Sequence, residues 1–264
     1  METASSWHSA TPLSEDTWLI TEAKGINCYL LTGSERALLI DTGNGLGDLG
    51  KVVRQLTSLP VTVAVTHGHC DHAGGRGWFD APCHVHEADM SLSSRILSSR
   101  LASRVLVAKW ASAKDFPAQP FDAGYTAMTD GAVFELGGRS VSVVHLPGHT
   151  RGSVAFLDDR RKFMFVGDNL SHSDLWMHLP GAVSVEEWIP AAQRILKLSE
   201  KYIVYSGHGE QPFDLSLITA QIECGKALVA SRTRNGLLPF RRSHYTADGQ
   251  LRISYNPRNV RKHR

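Results

Sequence analysis

Nothing in the bulk composition of this chain is extreme, and each thing it lacks excludes a class. Its 264 residues hold no apolar run near the ~18 positions a membrane-crossing helix needs, so no membrane association is expected. Charge of one sign is missing too. Lys and Arg number 28 against 26 Asp and Glu, and the resulting +2 is too small a surplus to grip a phosphate backbone, so a nucleic-acid partner is not expected. Cysteine is scarce: Cys28, Cys70, Cys83 and Cys224 are scattered with no CxxC spacing. That argues against a disulfide framework and for the reduced thiols of a cytoplasmic protein. Residues Met1 to Ser6 include no basic and no apolar stretch, so no signal peptide is expected. There is also no GxSxG, hence no serine nucleophile on a strained strand-to-helix turn. What remains is a chain with 42% hydrophobic residues, enough at this length to bury one large α/β core, so residues 1–264 are read as a single domain.

Against that background one stretch stands out. Thr66-His67-Gly68-His69-Cys70-Asp71-His72 packs three imidazoles and a carboxylate behind the β-rich run Val61-Thr62-Val63-Ala64-Val65. Imidazole nitrogen and carboxylate oxygen are ordinary ligands for zinc. A loop at the end of a rigid strand can hold them without burying unpaired polar groups. Three further segments end strand-like runs in the same way. Leu146-Pro147-Gly148-His149-Thr150 follows the alternating Val141, Val143 and His145. Phe163 to Val166 leads into Gly167-Asp168, and Ile203-Val204-Tyr205 leads into Ser206-Gly207-His208-Gly209. Each metal-capable side chain lies beside glycine, where backbone can turn sharply. Together they offer seven ligands, too many for one tetrahedral ion and enough for two.

In this order, THGHCDH, PGHT, GDN and SGHG resemble the metallo-β-lactamase superfamily, in its glyoxalase II-like branch of small hydrolases. The resemblance implies that His67, His69 and His149 hold a first divalent ion, that Asp71, His72 and His208 hold a second, and that Asp168 bridges the two. It also implies that Asp41, in Leu39-Ile40-Asp41-Thr42-Gly43, fixes the tautomer of a ligand histidine from behind. An imidazole and carboxylate set without thiolate makes zinc the expected metal, with iron or manganese as alternatives. The β-lactam-cleaving members generally carry a cysteine where this chain has Asp168, so antibiotic hydrolysis is not the expected activity.

Periodicity predicts strands at Thr17–Thr21, Asn27–Thr32 and Ala37–Asp41, a helix over Gly45–Ser58, and strands at Val61–Thr66 and Cys83–His86. A helical, insertion-like segment follows over Glu87–Trp110, so residues 87–120 are read as a possible lid. Alternating strands run from Ala132 to Val166. Ser184-Val185-Glu186-Glu187 is a capping box opening a helix, Leu215–Arg232 is a last helix, and Asp248-Gly249 turns a hairpin of Arg242–Tyr245 and Leu251–Tyr255. Residues 257–264 read as a flexible basic tail. Strands followed by helices in both halves fit the α+β (mixed α/β) four-layer αβ/βα sandwich that the resemblance implies.

The implied reaction is attack of a metal-bridging hydroxide on the carbonyl of a small ester or thioester, with Asp71 orienting the water as well as ligating. Lactone hydrolysis of the acyl-homoserine lactonase type is the alternative. Those enzymes use a tyrosine three residues after the bridging aspartate, where this chain has Ser171. Phosphodiester or nuclease chemistry is third. Substrate-binding candidates are Trp176, as a flat apolar wall, with His172 and His178, and beyond the metal loop Arg76, Trp78 and Phe79. The partner expected is a small ester, thioester or lactone. Oligomeric state is not legible.

Overall fold

In a computed structural model that describes residues 7–23, 25–93, 100–109, 111–121, 124–231, 241–246 and 248–262, two sheets face each other with helices outside both. The first sheet has seven strands in sequence order: β1 (His8–Ser14), β2 (Thr17–Glu22), β3 (Ile26–Thr32), β4 (Ala37–Ile40), β5 (Val61–Ala64), β6 (Cys83–His86) and β7 (Tyr125–Met128). Its first four strands form an antiparallel meander; from β4 onward pairing is parallel. The second sheet gathers β8 (Val133–Glu135), β9 (Ser140–His145), β10 (Val154–Asp158), β11 (Phe163–Phe165) and β13 (Ile203–Tyr205) in the order β13-β11-β10-β9-β8. Strand β12 (Asp174–Met177) pairs instead with β15 (Arg252–Tyr255), which carries β14 (Arg242–Tyr245) on its other side.

Period-two alternation sorts the side chains of each strand into different cores. On β3, Tyr29 and Leu31 face the second sheet, while Cys28 and Leu30 face helix α1 (Leu49–Leu56) through Val52 and Val53. Likewise Val154, Phe156, Phe163 and Phe165 look inward between the sheets. Ala155, Leu157, Met164 and Val166 look outward onto α5 (Val185–Leu198) and α6 (Leu215–Ala230), around Trp188, Ile195, Ile218 and Ile222. Tyr29 and Phe165 meet across the middle, ring centroids 4.4 Å apart. Helix, sheet, sheet, helix: this is the four-layer sandwich expected.

Several expectations need correction. Helix α1 starts at Leu49 and not near Gly45, because Gly45 and Gly47 take positive φ and Asp48 caps the helix by accepting from the Lys51 amide. Strands β1, β7 and β12 were not foreseen; β1 is a polar edge strand with Pro12 at a bulge. The segment expected to be helical over 87–110 shows, among the described residues, a 3-10 turn at Glu87–Asp89, a short α3 (Met90–Ser93) and α4 (Arg100–Val107). Residues 94–99 and 110 lie outside the described residues, as do 122 and 123. The basic tail is packed and not free as far as residue 262: Val260 is buried, Asn259 Nδ2 donates to the Ala182 carbonyl, and the Lys262 amide donates to Glu186. Residues 263 and 264 lie outside the described residues. The capping box is as expected, with Ser184 and Glu187 each accepting from the other's amide.

Candidate metal centre

Every metal-capable motif sits just past the end of a strand, all at the same end of the sandwich. Asp41 follows β4, His67 and His69 follow β5, and Asp71 and His72 lie on the single-turn helix α2 (Cys70–Ala73). His149 lies in the β9–β10 loop, Asp168 in a 3-10 turn after β11, and His208 after β13. The side chains converge as two groups, His67–His69–His149 and Asp71–His72–Asp168–His208, with the ligand atoms of each within 4.8 Å of one another. Asp168 joins the groups: its Oδ2 lies 3.7 Å from His149 Nε2 and 3.3 Å from His208 Nε2, and its Oδ1 lies 3.3 Å from His72 Nε2. Asp71 Oδ2 is 3.7 Å from both His72 and His208.

The far side of each ring decides which nitrogen faces the centre. Pro180 and Trp176 offer carbonyl oxygens, which can only accept, so His69 Nε2 (3.0 Å) and His149 Nδ1 (2.6 Å) carry the protons. Their remaining nitrogens, His69 Nδ1 and His149 Nε2, then face each other as lone pairs 2.9 Å apart. Two acceptors at that distance repel unless something positive lies between them. Asp41 performs the same service for His72 and His67. Its Oδ2 accepts from His72 Nδ1 (2.9 Å) and from the Thr66 hydroxyl (2.8 Å), and that hydroxyl accepts from His67 Nδ1 (3.1 Å). Three atoms facing the centre, His67 Nε2, His72 Nε2 and Asp168 Oδ1, are buried and have no hydrogen-bond partner among the described residues. Unpaired buried polar atoms of this kind call for a cation to complete their coordination. The residues present therefore fit divalent cations.

Charge follows the same division. Burial, reinforced by the rings of His72, His149 and His69, holds His67 well below the ordinary imidazole value, and burial lowers His149 to about 4. Burial also pushes His72 downward, but Asp168, Asp41 and Asp71 overcome it and raise the ring well above the ordinary value. Asp168, raised by burial but opposed by His208 and His72, ends well below the usual carboxylate range. His67 and His149 are thus neutral and ready to donate lone pairs, while Asp168 brings anionic oxygens to the second group.

Local backbone is shaped to the cluster. Asp41 is buried at φ 63°, a left-handed conformation that aspartate tolerates better than most residues. A side chain at Gly207 would come 2.3 Å from Asp168 Oδ1, which explains the glycine before His208. Residues with no spacing signal complete the frame. Asp89, fully buried, accepts from the Gly68 amide, the Thr150 hydroxyl and the Gly152 amide, tying the His67–His72 loop to the His149 loop. Asn169 accepts from the His149 amide and donates to the Leu146 carbonyl. Asn27 and Tyr29 hold the Ser206 carbonyl. Buried Glu22 accepts from the amides of Asn44, Gly45 and Leu46 in the loop after Asp41, and burial lifts its carboxyl to about 7.

The match of a sequence model now decides the family: that of the metallo-beta-lactamase superfamily covers residues 21–208, all seven metal-capable residues and Asp41 included. The chain belongs to this superfamily. Among its relatives, the acyl-coenzyme A thioesterase MBLAC2 of Gallus gallus is 30% identical over 220 residues, 75% of this chain and 78% of the relative. The atrochrysone carboxyl ACP thioesterase nsrC of Aspergillus novofumigatus is 27% identical over 166 residues, 58% of this chain and 44% of the relative. Among solved structures, TTHA1623 in a di-iron-bound form aligns with TM-score 0.55 and 27% identity over 74% of this chain and 92% of its own. Like other members of the superfamily, this chain has its His and Asp groups placed where they can bind metal.

The non-metal candidates fare unevenly. Trp176 lies beside the first group, since its carbonyl holds His149, and its ring is 43% exposed. His178 lies 5.6 Å from that ring and shares a hydrogen bond with the Ser254 carbonyl. His172 is stacked on Phe213 and reaches the Gln211 carbonyl, so its ring braces the loop after His208. Trp78 and Phe79 are core residues of the α1 layer and not pocket residues, and Arg76 lies over Tyr125. No helix of the described residues is long and apolar enough to cross a membrane.

Proposed function

We propose that this chain hydrolyses a small thioester with two divalent metal ions held by His67, His69 and His149 and by Asp71, His72 and His208, with Asp168 shared between them. Its superfamily and its His/Asp centre make it a metal-dependent hydrolase. The observation that carries the dinuclear reading is Asp168, whose two oxygens face ligand atoms of both groups. The choice of thioester over other acyl bonds is supported by relatives named as thioesterases, one of them matched over three-quarters of this chain. Such ions would supply Lewis acidity for the acyl carbonyl and a water acidified toward neutral pH.

The protein's own contribution is orientation. Asp41, directly and through Thr66, and the carbonyls of Trp176 and Pro180 orient four rings so that one nitrogen of each faces the centre. Asp71, a quarter exposed and close to both His72 and His208, is the carboxylate of the set with most access to incoming water and is the group to orient it. Zinc suits a thiolate-free imidazole and carboxylate set, and iron suits it as well. The lactone reading finds less support. Ser171, at the position where lactonases carry a tyrosine, spends its hydroxyl accepting from the Ser173 and Asp174 amides.

A panel of short-chain acyl thioesters, oxygen esters and a homoserine lactone, offered to the metal-loaded protein and to His69→Ala, tests the reading. Thioester turnover above the other two classes, lost in the variant, is expected. Preference for the lactone, or equal turnover by the variant, would contradict it.

A further inference from the structure

An exposed tryptophan on a strand is unusual enough to need a reason, and packing does not supply one for Trp176. Its neighbours on β12, Leu175 and Met177, are buried; Trp176 faces out. The ring is nevertheless held in place. Its Nε1 donates to Asp174 Oδ2 (2.9 Å), and Asp174 also pairs with Arg241 (2.8 Å) and Arg252 (2.9 Å) and accepts from the Ser254 hydroxyl (2.7 Å). The Arg241 guanidinium lies 5.5 Å from the Trp176 ring centroid. One carboxylate therefore holds an indole and two guanidinium groups together as a preorganised platform that keeps a net positive charge, with the Arg241 guanidinium over one face of the indole. Arg241 and Arg252 remain 42% and 40% exposed.

The platform's position ties it to the chemistry. The segment that carries Trp176 supplies the two carbonyls, of Trp176 and Pro180, that hold His149 and His69. The platform and the support of His149 thus share one residue, the side chain of Trp176 in the first and its carbonyl in the second. Arg241 and Arg252 also come from the β14–β15 region, beyond the 21–208 stretch matched by the superfamily model. The platform is thus an addition to the shared hydrolytic frame, where substrate choice is expected to reside.

We propose that Trp176, Arg241 and Arg252 bind the nucleotide portion of the thioester's carrier, a coenzyme A-type group, with the base against the indole and phosphate at the guanidinium groups. Every nucleobase has a flat π-face for stacking, and arginine matches phosphate oxygens in fork geometry. This rests on the thioester reading above, and the test separates the two.

The metal-loaded protein is assayed with a short-chain acyl coenzyme A and with the matching acyl N-acetylcysteamine thioester, which has neither base nor phosphate. In Trp176→Ala and Arg241→Glu, KM for the coenzyme A thioester rises about tenfold, the scale of one lost stacking or phosphate contact. In Arg241→Glu the kcat, and both constants for the nucleotide-free thioester, stay as in the parent; in Trp176→Ala the loss on the coenzyme A thioester exceeds any loss on the nucleotide-free one. Adenosine 3′,5′-bisphosphate competes with the acyl coenzyme A on the parent and no longer does so on Arg241→Glu. Equal losses on both thioesters would mean that the platform only supports His149, and would overturn the proposal; so would failure of the bisphosphate to compete. If the parent cleaves no thioester, the thioester reading fails by itself. Calorimetric binding of the bisphosphate, saturable on the parent and lost in Arg241→Glu, then still decides for or against the platform.

Discussion

Two buried ionic clusters lie at opposite ends of the sandwich, and they are finished differently. Away from the strand ends that carry the metal-capable residues, Arg139 and Asp158 pair inside the protein, through Nη2 at 2.6 Å and Nε at 3.2 Å. The rest of the guanidinium donates to the Asp16 and Thr32 carbonyls and to the Thr17 hydroxyl. All three guanidinium nitrogens have partners. At the other end, His67 Nε2, His72 Nε2 and Asp168 Oδ1 are just as buried and have no hydrogen-bond partner among the described residues. A closed network is a structural clasp between the second sheet and the β1–β2 and β3–β4 turns. An open one, with lone pairs aimed at common points, is built to be completed by cations.

The contrast can be broken at either end. The largest effect is expected at the open end. Asp168→Ala removes the carboxylate shared by both groups, and hydrolysis should fall roughly a thousandfold or more, the scale of losing a principal electrostatic group in a site. Retained turnover would refute its shared role. At the closed end, Arg139→Met leaves Asp158 buried and unpaired, which should cost about 3–5 kcal/mol in chemical denaturation while the folded fraction keeps its metal. A loss of metal without a loss of stability would invert the comparison. Asp41→Asn tests the link between frame and ligands. Asparagine tolerates the same left-handed backbone but weakens the acceptor behind His72 and Thr66, so chelator competition should show metal affinity lower by about 10–100-fold.

The last effect is on pH dependence. His8 and His149 are both lowered to about 4 by burial, below the 6.5 of an exposed ring. The unfolded chain then takes up protons that the folded one refuses, so metal-free stability should fall as pH drops from 6.5 towards 4, by up to about 1.4 kcal/mol per pH unit for each group. Glu22 works the other way. Its folded value near 7 lies above its ordinary 4.5, so its contribution is present at low pH and is lost as pH rises through 7. Denaturation at stepped pH should show both slopes; a flat acid limb would mean that these rings are not neutral when buried.

How much of this was legible in the sequence depends on whether the signal was local. Strand-end histidines beside glycine announce themselves, and the four motifs do converge. Asp89 does not announce itself: it is one acidic residue in a helical stretch, and only the folded chain shows it bridging Gly68 and Thr150. Strand β12 is four residues long and finds its partner, β15, some eighty residues away, a pairing no periodicity predicts. For the same reason the setting of Trp176 could not be read, since Arg241, Arg252 and Ser254 reach Asp174 from that distant hairpin. Trp78 and Phe79 misled because aromatic residues near a metal loop look the same in sequence whether they line a pocket or fill a core.

The most direct test is a metal count on the purified, metal-reconstituted protein by plasma mass spectrometry, paired with anomalous scattering from crystals. Two divalent ions per chain are expected, one on the His67, His69 and His149 nitrogens and one beside Asp71, His72 and His208, with His69→Ala retaining only the second. A protein that stays metal-free after reconstitution yet hydrolyses its substrate at full rate would contradict the account.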